Sequence, residues 1–255
     1  MPSRVLLEIC IASPEDAATA AGAGADRLEL NAALELGGLT PSLGTLLETR
    51  SAVRVPIVAM ARPRPGGFHY SAAEFKTICR DVDLLLENGA DGVAFGILNG
   101  QGLIDTARCR QLIERIGTDA GKQCVFHRAF DFTPDPFTAM EQLIDLGIRR
   151  VMTSGQQPTA LQGAGLIADL IRRSAGRIEI LPASGIRPAN AAEIISLTHC
   201  TQLHGSLREM KTDNSLNARP KLSLRGQASL QNADGEGSFQ GTSAQLVTEM
   251  VAALR

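Results

Sequence analysis

The strongest constraint on this chain is a rhythm: a short apolar run, a capped helix-period segment, then another apolar run, repeated eight times along 255 residues. The runs that read as strands are 5–11, 26–31, 55–62, 91–96, 123–128, 150–154, 177–182 and 201–206. Helical patterns lie between them. Ser13-Pro14 opens the first, running to Gly22, because a hydroxyl cap followed by proline suits a helix start. Thr40-Pro41 repeats the signal for a helix to about Ala52, and Ser71 opens one through about Asn88. Residues 105–116, 134–146, 158–174 and 188–197 carry the remaining helical patterns. Ala23-Gly24-Ala25-Asp26, Asn88-Gly89-Ala90-Asp91 and Leu146-Gly147-Ile148-Arg149 each join a helix to the next strand, with glycine as the left-handed helix stop.

Strands alternating with helices in this way require right-handed crossovers and a parallel sheet. Eight units predict an α/β fold closed as a (β/α)8 TIM barrel over 1–206, its working site at the C-terminal ends of the strands. No glycine-rich dinucleotide fingerprint follows the first strand, which argues against an open doubly wound sheet. Residues 207–255 read as a C-terminal extension packed on or covering the barrel and ending in a helix over 245–254. Its Ser-, Asn- and Gly-rich part to Gly241, with a weak rhythm at Leu222, Leu224 and Leu230, suits either a lid-like excursion or partial disorder.

Composition narrows the partners. The net charge is −2, from 25 basic and 27 acidic residues, with no basic run, so neither nucleic acid nor an anionic membrane is expected. No apolar stretch approaches the roughly 18 residues a bilayer span needs. The five cysteines (Cys10, Cys79, Cys109, Cys124, Cys200) are odd in number, scattered and without a CxxC pair. This implies a reducing, cytoplasmic setting rather than a disulfide framework.

The parity of polar residues points to chemistry. Leu6, Glu8 and Cys10 share one face of the first strand; Arg27, Glu29 and Asn31 share one face of the second, with Leu28 and Leu30 opposite. Val58, Met60 and Arg62 follow on the third, Val125 and His127 on the fifth, and Gln202, His204 and Ser206 on the eighth. Since the aliphatic parity must face the helices, the polar parity faces the lumen. Charges buried there need partners or a ligand, so the face is either a salt-bridge network or a polar pocket for a small molecule.

Within it, Glu8, Glu29 and His127 are candidate acid/base groups, with Asp131 four residues on to orient the histidine. Arg27 and Arg62 are candidate anion clamps; the Pro63 and Pro65 loop would hold Arg62 inward. Ser154, Ser184, Gly185 and His204 end the sixth, seventh and eighth strands, where small residues ahead of helix N-termini can meet a substrate phosphate. No strand ends in lysine, which disfavours Schiff-base chemistry. Such a set fits a lyase, isomerase or glycoside-cleaving enzyme acting on a small anionic or sugar-like substrate. Cys10 and Met60, with His127 and His204, also supply soft or borderline donors for a metal ion such as copper(I), although they come from separate strands.

These stretches resemble the copper homeostasis protein family CutC. The matching runs are Leu7-Glu8-Ile9-Cys10, Gly24 to Leu30, Gly37-Gly38-Leu39-Thr40-Pro41-Ser42, Arg62-Pro63-Arg64, Phe126-His127-Arg128-Ala129-Phe130-Asp131, and Leu146-Gly147 through Thr153-Ser154-Gly155-Gln156. The resemblance implies a TIM barrel, a cytoplasmic location, a homodimer or homotetramer, and a role in copper homeostasis with copper as the bound ion. Copper binding in some relatives has been linked to a cysteine just after the Glu-Leu of the second strand. That position is Asn31 here, so a site using it does not carry over. Ala183-Ser184-Gly185 likewise replaces the family's glycine-rich turn after the seventh strand, and the family's Arg-Asn segment in the tail has no clear match.

Overall fold

The computed structural model describes residues 4–117, 122–216 and 237–254. Eight parallel strands form one sheet: β1 (Leu6–Ile11), β2 (Arg27–Leu30), β3 (Ile57–Met60), β4 (Gly92–Phe95), β5 (Gln123–Phe126), β6 (Arg150–Thr153), β7 (Glu179–Pro182) and β8 (Gln202–Gly205). Their order is β7-β6-β5-β4-β3-β2-β1-β8, and β7 meets β8 across the remaining seam. This is the predicted TIM barrel.

Helices α1 (Pro14–Gly22), α2 (Leu43–Ala52), α3 (Ala72–Glu87), α4 (Thr106–Ile116), α5 (Pro136–Asp145), α6 (Ala164–Ser174) and α7 (Pro188–Thr198) follow the first seven strands. Their starts are chemical. Ser13 accepts from Asp16 N–H, Asp105 from Arg108 N–H and Asp135 from Phe137 N–H, while Ser71 and Glu74 form a reciprocal capping box. Each such cap contributes about 1 kcal/mol.

Two starts differ from the sequence expectation. Ser42 caps α2, because the Thr40 hydroxyl instead bonds Asp81 at 3.2 Å and accepts from Arg62 N–H at 3.0 Å. Helix α6 begins only at Ala164. Gly155 and Gly163 bring two backbones together there, so tightly that a Cβ on Gly163 would lie 2.0 Å from the Ser154 carbonyl.

Alternate residues divide the strands between two interiors. Leu7, Ile9, Leu28, Leu30, Ile57, Val93, Phe95 and Phe126 point outward and merge with the inner helix faces into one apolar shell. Fully burying each such side chain is worth about 1.5–3 kcal/mol. Inside the barrel, Val58, Met60, Ala94 and Val125 form one small apolar cluster, and Met152, Leu181 and Ala183 another. The rest of the lumen is polar, as the parity predicted.

After β8 the chain makes an antiparallel hairpin of β9 (Arg208–Thr212) and β10 (Ser238–Thr242), then α8 (Ala244–Ala253). Helix α8 packs against α7 and α1 and fills the eighth place in the outer ring. Thr242 N–H bonds the Asp16 carboxylate at 2.7 Å, tying this return to the first βα unit. Leu222, Leu224 and Leu230, in the stretch expected to be a lid or disordered, lie outside the described residues. Among the described residues no helix is long and apolar enough to cross a membrane.

Candidate functional site

A cavity of about 340 Å³ opens at the C-terminal ends of the strands. That falls within the usual size for a small-molecule pocket. Its lining includes Cys10, Glu29, Asn31, Met60, Arg62, His127, Ser184, Gly185 and His204, drawn from six of the eight strands or the turns just after them. Sequence reasoning placed most of these together because strand-end residues of one parity must converge at one mouth.

Beneath the cavity floor is an ionic layer. Parallel register sets Glu8 of β1 directly beside Arg27 of β2 and His204 of β8. One Glu8 oxygen accepts from Arg27 Nε, and the other lies 2.8 Å from His204 Nδ1. Arg27 also donates to Gln202 at 2.8 Å, and Gln202 in turn accepts from Arg150, which pairs with Glu179 at 2.6 Å. Burial would raise Glu8, but Arg27, His204 and Arg150 hold it far below the usual carboxylate range. Arg27 was expected to hold substrate. As the first residue of β2 it instead lies toward the N-terminal end, engaged by Glu8 and Gln202, and it does not line the cavity.

Above this layer stand Glu29, Cys10 and His204. One oxygen of Glu29 accepts from Asn31 Nδ2 at 2.9 Å and lies 3.9 Å from His204 Nε2; the other is buried with no partner among the described residues. Burial pushes the Glu29 carboxyl up, and the Glu8 charge adds to this against the pull of His204. Burial alone would lower His204, but Glu29, Cys10 and Glu8 raise it well above the ordinary histidine value. Burial also raises the Cys10 thiol. One ligand atom each from Cys10, Glu29 and His204 lies within 4.8 Å of the others, close enough to surround a metal ion. Met60 lines the same cavity.

His127 closes the far side. Its Nδ1 accepts from Ala129 N–H at 3.1 Å, and its Nε2 is buried without a partner among the described residues. Burial first, and the nearby Arg62 charge second, pull its pKa down to about 3, so the ring is neutral. Gly96 makes room for it: a Cβ there would sit 2.4 Å from the His127 ring.

Asp131 does not orient His127. Residues Arg128–Phe132 form a tight 3-10 turn that carries Asp131 toward β6. There it accepts from Thr153 Oγ1 at 2.5 Å, from Ser154 N–H at 3.0 Å and from Arg128 Nε at 2.8 Å. Ser154 belongs to the same knot, donating to Gln157 O at 2.6 Å, and neither residue lines the cavity. Arg62 lines it, but its terminal nitrogens clamp three backbone carbonyls: Leu36 at 3.1 Å, Gly38 at 3.0 Å and Gly66 at 2.9 Å. Ser184 donates to Pro158 O at 2.8 Å, which fixes the β7 turn. Sequence reasoning missed Arg128, Arg187, Arg208, Phe68 and Phe132, all of which line the mouth. The usable signal was Ile186-Arg187-Pro188, an arginine between a strand end and a helix-opening proline.

The CutC family's sequence pattern matches residues 5–209. A family protein CutC of Treponema denticola is 49% identical over 222 residues, covering 87% of this chain and 89% of the relative. The human copper homeostasis protein cutC homolog is 40% identical over 206 residues, covering 81% and 74%. A crystal structure of CutC from Streptococcus agalactiae superposes with a TM-score of 0.74 at 30% identity, covering 79% of this chain and 98% of that one. Phosphoribosylanthranilate isomerase from Thermotoga maritima, at 14% identity and a TM-score of 0.55 with 98% of each chain covered, shares the fold alone. On this evidence the chain belongs to the CutC family.

Proposed function

We propose that this chain binds a copper ion at the floor of its barrel cavity, through Cys10, His204 and Glu29 with Met60 alongside, as part of copper homeostasis. The observation that carries the reading is the convergence of a thiol, an imidazole and a carboxylate to within 4.8 Å. The contact of Glu8 with His204 Nδ1 supports it, because that bond leaves Nε2 toward Glu29. A carboxylate behind a ligating histidine is the usual way such a ring is oriented. Sulfur and imidazole donors suit copper(I), and the carboxylate extends the set toward divalent ions. Binding must displace protons from Cys10 and His204, so affinity rises with pH. Anaerobic titration against a copper(I) chelator tests this. Cys10→Ser and His204→Gln should each weaken binding by roughly 10- to 100-fold; equal affinity in wild type and both variants rejects the site.

A second reading is favoured by a separate observation: Glu29 and His127 both line the cavity, and each keeps a buried polar atom without a partner among the described residues. A carboxyl biased toward holding its proton, in the same cavity as a neutral imidazole, is an acid/base arrangement. It suits a lyase or isomerase acting on a small polar molecule. Turnover abolished by Glu29→Gln and by His127→Asn, but retained by Cys10→Ser, separates this reading from metal binding.

A further inference from the structure

The cavity mouth is charged in one sense. Arg62, Arg128, Arg187 and Arg208 all line it, and among the described residues Glu29 is its one carboxylate. Arg128 is neutralised by Asp131 at 2.8 Å. For Arg62, Arg187 and Arg208, no carboxylate stands at ion-pair distance among the described residues. Elsewhere on this protein arginines are commonly paired: Arg4 with Asp26, Arg50 with Asp91, Arg115 with Asp83 and Arg177 with Glu141. Arg62, Arg187 and Arg208 stand together at the opening of the barrel without such partners among the described residues.

Their positions are specific. Arg187 ends the turn after β7, and Arg208 begins the strand after β8, so two free guanidiniums flank neighbouring strand ends. Just ahead of Arg187, Ser184 (φ 83) and Gly185 (φ 68) take consecutive left-handed conformations. No hydrogen bond of the described residues engages the Gly185 or Ile186 N–H. Successive unpaired N–H groups in such a turn form a concave anion cradle. Deeper in, the Nε atoms of Arg62 and Arg208 are buried without partners, and the Arg62 side chain as a whole is only 6% exposed. A buried guanidinium N–H without an acceptor is costly and is ordinarily satisfied by an anion or by water.

We propose that the cavity holds its ligand by an anionic group, a phosphate or carboxylate, gripped between Arg187 and Arg208 over the Gly185–Ile186 turn. The rest of the molecule points down toward Glu29 and His127. The ligand is therefore a small organic anion rather than a neutral sugar. Planar guanidinium forks match both oxyanion types. The grip stands apart from the metal reading, since none of its groups is a proposed metal ligand, and it holds whether the bound molecule is converted or only carried.

The test uses the full chain with metal removed by chelation, titrated calorimetrically with inorganic phosphate, with malonate and with neutral ribose. Saturable binding of phosphate or malonate is expected, with no response to ribose; the tighter anion identifies the class. Arg187→Ala and Arg208→Gln should each weaken that anion by roughly tenfold or more, while Cys10→Ser leaves it unchanged. Arg187 is exposed at the mouth, so its replacement leaves the fold intact. Absence of saturable anion binding in the wild type overturns the proposal, as does equal affinity in wild type and both arginine variants. Loss of copper binding in Cys10→Ser with anion binding retained supports the separation of the two functions; loss of both together overturns it.

Discussion

Glu8 Oε1 lies 2.8 Å from His204 Nδ1, and the two residues are direct partners in the β1–β8 ladder. On its other side Glu8 is the direct partner of Arg27 in the β1–β2 ladder. Register alone therefore places one carboxylate between two cations in a closed interior. Glu8→Gln leaves the Arg27 guanidinium and the His204 ring without their counter-charge. The expected loss is about 3–5 kcal/mol, the usual cost of breaking a buried pair from one side. Urea denaturation at neutral pH measures it, and a loss below about 1 kcal/mol contradicts the role assigned to Glu8.

His127 gives the fold a pH signature. Its folded pKa of about 3 lies below the unfolded value of 6.5, so the unfolded chain takes up the proton first. Stability is then fully present above pH 6.5 and falls as pH drops toward 3. The raised His204 acts in the opposite sense: its contribution is full below pH 6.5 and is lost as pH rises through its folded pKa. The His127 contribution amounts to about 2 kcal/mol at pH 5, and comparison with a His127 variant separates it from that of the raised Glu29 carboxyl. Denaturation of wild type and His127→Asn between pH 6.5 and 5 should show the slope in the first and its flattening in the second.

Gly96 is a packing constraint on the same ring. A Cβ at this position would meet His127 Cε1 at 2.4 Å and Ala129 Cβ at 2.6 Å. Gly96→Ala should destabilise the chain by about 1–3 kcal/mol, the range for overpacking. It should also move the His127 imidazole resonances, read by NMR. An unchanged ring environment would contradict the close packing.

Arg62 is predicted to act on loops before it acts on any ligand. Arg62→Lys keeps the charge but cannot reach the Leu36, Gly38 and Gly66 carbonyls together. Leaving one or two of them unsatisfied costs about 1–3 kcal/mol each. Faster amide exchange in residues 36–38 and 66, with the barrel strands still protected, is the expected readout. Uniformly unchanged exchange would remove the clamp from the account.

Much of this was legible in the sequence, for identifiable reasons. The period-2 parity of Glu8-Cys10, Glu29-Asn31 and His204 gave the lumen face directly, because a strand side chain has only two faces to choose from. Parity says nothing of height, however, and height is what removes Arg27 from the cavity: it starts its strand, and so lies with Glu8 and Gln202 at the lower level. Asp131 was misplaced for a different reason. Four residues after His127 looks like one helical turn, but the tighter 3-10 winding of Arg128–Phe132 swings the carboxylate onto Thr153 and Ser154. Arg187 and Arg208 escaped notice because they follow their strands rather than belong to them. Their convergence depends on how the β7 turn and the β9 hairpin fold back.

The docking of α8 between α7 and α1 has a consequence for how the protein is made. The first βα unit is made well before the parts that cover it: the Thr242 amide that ties to Asp16 lies 226 residues further along the chain, and helix α8 follows it. Until they arrive, the nascent ring keeps a gap along α1 into which Val247, Met250 and Val251 must later bury. Long-separation contacts of this kind slow folding and leave apolar surface open to other chains. The barrel's outer ring therefore closes only once α8 has been made and docked, and until then the flank of α1 stays uncovered.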